Sequence, residues 1–233
     1  YTQMLDRVST LARMVDASVI ADADTGYGGL LNVHHTVRGY EEAGVAAIQI
    51  EDQEFPKKCG HTPFKRCIPT GDMVDKIKVA CEARRNPQET LIIARTDAHQ
   101  GEGFDAAIRR AKAYAEAGAD ILFVEALVSE TEMREACRSI NRPMLANMAD
   151  GGKTPILTAD QLCDLGYQAA IFPSMTALAA NAAVERSLLA LKATGTSRNA
   201  DVPLYDFNEF SSLIGFEEVW AFERRWARDK APG

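Results

Sequence analysis

Apolar positions gather in six short, β-rich runs at 19–24, 46–52, 91–97, 121–126, 143–148 and 169–174, and stretches of helical spacing separate them. The pattern predicts strand and helix in strict alternation. Strands that are apolar almost throughout, joined by helices, belong to a parallel sheet covered on both faces, because each parallel connection needs a crossover. Helix ends are marked by Gly44, Gly118 and Gly166, each a few residues before a run. Glycine there takes the left-handed conformation that closes a helix. Helix starts read as capping boxes at Ser129-x-x-Glu132 and Thr158-x-x-Gln161.

Two architectures suit such a rhythm, an open doubly wound sheet and a closed (β/α)8 barrel. Polar residues at or near the C-terminal ends of five successive runs decide for the barrel: Asp22 and Asp24, then Glu51, Arg95, Glu125 and Asn147. A barrel gathers many strand ends at one mouth, whereas an open sheet concentrates its site at one switch point. Alternation places Asp22 with Asp24, Ile93 with Arg95, and Leu145 with Asn147 on common faces. Six βα units are two short of a full barrel, so the expectation is one barrel domain over 1–233 whose first two units lie outside this sequence. Residues 53–71 form a long loop between strands, read as an active-site lid. Residues 206–230 form a C-terminal helical segment in which Phe216, Val219, Phe222 and Trp226 recur at helical spacing beside Trp220. That apolar stripe must be buried, on its own barrel or on a partner subunit.

Composition narrows the function. The 233 residues carry 26 Lys plus Arg against 33 Asp plus Glu, a net charge of −7, which speaks against nucleic acid or an anionic membrane as partner. No apolar run approaches the ~18 residues of a spanning helix, and no secretory pattern opens the chain. The 5 cysteines are odd in number, scattered and never in C-x-x-C spacing. A disulfide framework or structural zinc is therefore not expected, and the cytoplasm is the expected location.

The chemistry-bearing residues form three groups. Asp22, Asp24 and Glu51 offer hard oxygen ligands with no His or Cys at ligand spacing, which suits Mg2+ or Mn2+. Lys57-Lys58-Cys59-Gly60-His61 in the lid puts a cysteine behind two lysines and before a histidine, a positive setting suited to a proton donor or acceptor. Cys67, Cys81, Cys137 and Cys163 lack that setting and are read as inert. Arg95 can fork onto a substrate carboxylate or pair with Glu125 or Asp97. Asn147 opens a polar loop through Gly151-Gly152-Lys153-Thr154 that could cradle an anion or be a plain turn. Gly-Gly-Lys-Thr there lacks the first glycine of a P-loop. His34 and His35 read as surface residues of a helix start.

Taken together, Ala21-Asp22-Ala23-Asp24-Thr25-Gly26-Tyr27-Gly28, Ile50-Glu51-Asp52-Gln53, Lys57-Lys58-Cys59-Gly60-His61, Ala94-Arg95-Thr96-Asp97, Val124-Glu125-Ala126 and the Asn147 loop resemble the isocitrate lyase/phosphoenolpyruvate mutase superfamily, over most of the chain. The resemblance implies a (β/α)8 barrel, commonly a homotetramer whose subunits exchange a C-terminal helix. The cysteine lid resembles the lyase branch, which cleaves 2-hydroxy di- or tricarboxylates of the methylisocitrate or dimethylmalate type. It further implies that Asp22, Asp24 and Glu51 hold Mg2+, that Arg95 stabilises the developing charge, and that Cys59 protonates the carbanion. Lys58 would keep the site positive, Gly60 and His61 would position the lid, and Glu125 and Asn147 would fix the substrate. An oxaloacetate hydrolase or phosphonopyruvate-type enzyme on the same scaffold is the alternative, and a non-catalytic barrel that binds a carboxylate or oligomerises is the third reading.

Overall fold

The computed structural model describes residues 1–198 and 201–227. All six expected strands form, each shorter than its apolar run: β1 Ile20–Asp22, β2 Ala47–Glu51, β3 Leu91–Thr96, β4 Ile121–Val124, β5 Leu145–Asn147 and β6 Ala169–Ile171. They are parallel and lie in chain order, β1-β2-β3-β4 in one sheet and β5-β6 in another. A parallel bridge from Leu122 to Met144 links the two. Strand order therefore never reverses, which excludes the doubly wound sheet with its switch point.

Helices fill every crossover. They are α2 Leu30–Glu42, α3 Thr70–Ala83, α4 His99–Glu102, α5 Phe104–Glu116, α6 Glu130–Ser139 and α7 Ala159–Leu165, while α1 Thr2–Met14 precedes β1. Side-chain alternation splits each strand between two layers. Ile48, Ile50, Ile92, Ala94 and Leu122 pack outward with Val33 and Val37 of α2, Met73 and Ile77 of α3, and Tyr114 of α5. Ala47, Ile93, Phe123 and Leu145 form a separate inner cluster with Leu91, Ile121, Ala169 and Ile171 around it. The shared faces expected for Ile93 with Arg95 and Leu145 with Asn147 follow from this inner layer.

The three glycine stops behave as expected, with φ of 85° at Gly44, 113° at Gly118 and 109° at Gly166. Thr158 and Gln161 cap α7 reciprocally. At α6 only half of the expected box forms. The Ser129 hydroxyl accepts from the Glu132 N–H, but the Glu132 carboxylate accepts from Val128 rather than from Ser129.

One strand-face expectation needs correction. Asp24 is not in β1, which ends at Asp22, and its φ of 54° turns the chain back on itself. The Asp24 N–H donates to Asp22 Oδ1 at 2.7 Å, so a tight turn rather than pleat alternation brings the two aspartates together.

The chain divides into two compact units, 1–175 and 176–233. The second unit contains most of α8 Met175–Thr194, then α9 Phe207–Leu213 and α10 Phe216–Trp226. Gly215, at φ 85°, separates α9 from α10 where the sequence predicts one helical segment. Residues 228–230 of that segment lie outside the described residues. The apolar stripe of α10 is exposed throughout, from 38% at Trp220 to 65% at Phe222.

Candidate active site

Five strand ends and the lid make the site. Register sets Glu51 of β2 beside Arg95 of β3, and Arg95 beside Phe123 of β4. Arg95 lies over the Phe123 ring at 5.0 Å from the centroid. Two of its three guanidinium nitrogens are held: Nε donates to Asp97 Oδ2 at 2.9 Å, Nη2 to Asp97 Oδ1 at 3.0 Å, and Nη2 reaches Glu125 Oε2 at 3.0 Å. The ion pairs to Glu125 and Asp97 that the sequence allows are thus both present, and one edge of Arg95 still lines the cavity.

Asp22, Asp24 and Glu51 surround one cation, the Lys57 ammonium. Its Nζ stands 3.7 Å from Asp22 Oδ2, 3.5 Å from Asp24 Oδ2 and 3.3 Å from Glu51 Oε2. Burial disfavours charge on Lys57, yet Glu51, Asp22 and Asp24 outweigh it and raise its pKa. Glu51 is buried, and that burial pushes its carboxyl up to about 7, against the opposing pull of Arg95. Gln53 braces it, its amide donating both to Glu51 Oε1 at 3.0 Å and to the Lys58 carbonyl at 2.9 Å. Among the described residues no three His, Cys, Asp or Glu side chains are disposed to hold a metal as they stand. These three carboxylates converge on an ammonium instead.

The lid is a hairpin. Gln53 and Cys67 bridge antiparallel at its base, and Glu54 N–H donates to the Arg66 carbonyl at 2.8 Å. At its tip Thr62 folds back onto the Cys59 carbonyl through both N–H and hydroxyl. The turn leaves Cys59 exposed as a free thiol and buries Gly60. A Cβ on Gly60 would overlap the Arg95 guanidinium and the Glu125 carboxylate, so only glycine lets the lid come this close. Next to it, the His61 Nδ1 accepts from the Lys153 N–H at 3.2 Å. That bond leaves the ring proton on Nε2, which faces Glu125 Oε1 at 3.4 Å. The loop after β5 therefore seats His61. Asn147 Nδ2 donates to Glu125 Oε2 at 3.1 Å.

These groups line a cavity of about 550 Å³ bounded by Lys57 to His61, Arg95, Glu125, Asn147, the 149–152 loop, Pro173 and Ser174. Lys58 departs from its expected place. It touches the cavity, but its ammonium donates to the Phe64 carbonyl at 3.1 Å, and Lys57 is the lysine that reaches the carboxylates. Sequence reasoning also missed Lys65, and named Asp97 only as a possible partner of Arg95. His34 and His35 are exposed on α2, away from this site, as expected. No helix is long and apolar enough to cross a membrane among the described residues.

Parallel strands in chain order with acidic, basic and thiol groups converging at their C-terminal ends define a class of barrel-type enzyme, and the comparisons give the family. The phosphoenolpyruvate phosphomutase family profile matches residues 1–192, and the chain belongs to that family. It is 49% identical over 217 residues to a 2-methylisocitrate lyase of Aeropyrum pernix, covering 93% of this chain and 68% of that protein. It is 42% identical to a 2,3-dimethylmalate lyase of Eubacterium barkeri, covering 97% of this chain and 78% of that protein. In structure it is similar to oxaloacetate acetylhydrolase in complex with 3,3-difluorooxalacetate, with a TM-score of 0.89 at 29% identity, over 99% of this chain and 78% of that one.

Proposed function

We propose that the chain is a Mg2+-dependent carbon–carbon lyase that splits a 2-hydroxy di- or tricarboxylate of the 2-methylisocitrate or 2,3-dimethylmalate type into pyruvate and a second carboxylic acid. The observation that carries this reading is the meeting, at one cavity, of a free thiol on the lid with a buried arginine and Glu125, next to the Lys57 that holds Asp22, Asp24 and Glu51 together.

Asp22, Asp24 and Glu51 would hold the cation. Their donor atoms are all hard carboxylate oxygens and already converge on a positive charge, which suits Mg2+ or Mn2+ and not zinc. When bound, the metal supplies Lewis acidity at the substrate's 2-oxygen and adjacent carboxylate. The protein's own groups do the rest. The 2-hydroxyl proton passes to a carboxylate of the Asp22, Asp24 and Glu51 cluster as its C–O bond gains double-bond character, and the electron pair of the breaking C–C bond passes to the carbon beside the departing carboxylate. Arg95, fixed by Asp97 and Glu125, faces the resulting oxyanion. Cys59 gives its thiol proton to that carbon, and Gly60 and His61 hold the cysteine over it. Glu125 and Asn147, joined to each other and to His61, fix the second carboxylic acid. The closed lid keeps bulk water from the carbanion.

The wider assembly follows the same reading. Six parallel strands with free outer edges on β1 and β6 suit a (β/α)8 barrel completed by two further units, and the exposed stripe of α10 suits a homotetramer with exchanged helices. The net charge of −7 suits a cytoplasmic enzyme.

The test is an assay for 2-oxo acid release with Mg2+, offering 2-methylisocitrate, 2,3-dimethylmalate, isocitrate and oxaloacetate. Pyruvate from one of the first two, abolished by EDTA and reduced ~10²–10⁴-fold in Cys59→Ser, is the expected outcome. The likeness to oxaloacetate acetylhydrolase supports the second reading, which predicts oxalate and acetate from oxaloacetate alone. Mg2+ binding without turnover of any of the four would leave the carboxylate-binding barrel.

A further inference from the structure

Lys65 lies six residues beyond the lid cysteine, in the returning strand of the hairpin, and none of the roles above falls to it. Its side chain is only 3% exposed. The Nζ donates to the Gly60 carbonyl and stands 3.3 Å from Asp97 Oδ1, itself fully buried. Gln100 Nε2 donates to the same Gly60 carbonyl at 3.2 Å. Asp97 in turn holds Arg95 through two bonds of 2.9 and 3.0 Å. A buried ammonium is retained only where its partners repay desolvation, and here both partners are functional: a lid-tip carbonyl on one side and the carboxylate that orients the arginine on the other.

We propose that Lys65 is a positioning residue that latches the lid, tying the Gly60 carbonyl to Asp97 so that closure over the cavity and the orientation of Arg95 are set by one ion pair. Gly60 contacts Arg95 and Glu125 only while the latch is made. Release of the Lys65–Gly60 bond frees the tip, carries Cys59 off the cavity and removes one of the charges that hold Asp97 in place. The latch rests on the lyase reading only for what Cys59 does to substrate; its mechanical role is independent of turnover.

Alkylation therefore tests it without an assay of activity. Wild type and Lys65→Met, each loaded with Mg2+ and oxalate, are treated with iodoacetamide, and the modification rates of Cys59 and Cys163 are read by peptide mass spectrometry. Cys163, exposed on α7, is the internal reference. Oxalate with Mg2+ is expected to slow Cys59 modification in wild type, and Lys65→Met to raise the Cys59-to-Cys163 rate ratio about tenfold, the worth of one charge-assisted hydrogen bond. If Lys65→Met melts before it can be measured, Gln100→Ala removes the weaker hold on the same carbonyl and should raise the ratio a fewfold. An unchanged ratio in folded Lys65→Met, or failing that in Gln100→Ala, overturns the latch. Absence of lyase activity from the wild type across the substrate panel, with the ratio still raised in Lys65→Met, would overturn the lyase reading alone.

Discussion

Most of the chemistry here is decided by single side chains held against their ordinary preferences. Arg95 is the clearest, a guanidinium buried among Glu51, Asp97 and Glu125. Burial alone would raise the Asp97 carboxyl, but Arg95, and Lys65 after it, outweigh that and hold it below the usual carboxylate range. A carboxylate with a lowered folded pKa stabilises the protein above its unfolded pKa and loses that contribution as pH falls through the folded value. Asp97→Asn leaves two buried cations short of a partner and should cost about 3 kcal/mol at pH 7. The gap between wild type and mutant in urea denaturation should close as pH drops below about 4. A pH-independent gap would assign the loss to packing instead. The neighbouring Asp52 shows the opposite sign: burial raises it despite bonds from Thr96, Tyr114 and the Asp97 N–H.

Elements are set by punctuation. Each of the three crossovers that ends in glycine uses a left-handed residue to leave its helix, and Gly166 has the least freedom of the three. A Cβ there would meet the Cys137 Cβ at 3.0 Å in a conformation that L residues avoid by ~1–2 kcal/mol. Gly166→Ala should lower stability by at least that amount, while Thr158→Ala at the other end of α7 should cost ~1 kcal/mol through its lost cap. Thermal melting of both variants checks the ranking, and a milder Gly166→Ala would mean that α7 shifts to make room. The lid belongs to this scale too. Its base is pinned by strand-like pairing and its tip by side chains, so it can hinge without losing its hairpin.

At the scale of the molecule, α10 presents Phe216, Val219, Trp220 and Phe222 to solvent, a face that water does not favour. Helix exchange between subunits, as proposed, buries it. Phe222→Asp should therefore lower the oligomer order in light scattering while leaving the strands of the first unit folded by circular dichroism. An unchanged mass would remove α10 from the interface.

The sequence alone determined the alternation of strand and helix, the glycine stops, the cap of α7, and the polar residues at or near the strand ends, because periodicity, caps and strand-end polarity are local properties of the chain. It could not tell whether Arg95 forks onto substrate or pairs with Glu125 and Asp97, since that depends on which carboxylates stand within 4 Å once the strands are in register. Nor could it separate Lys57 from Lys58, adjacent residues with equal charge. Only the folded lid turns one toward Asp22, Asp24 and Glu51 and the other toward Phe64. Asp24 was placed by pleat alternation and is held by a turn, and only the folded hairpin carries Lys65 under Gly60. Distances across a fold are set by tertiary packing, and a sequence carries them only as possibilities.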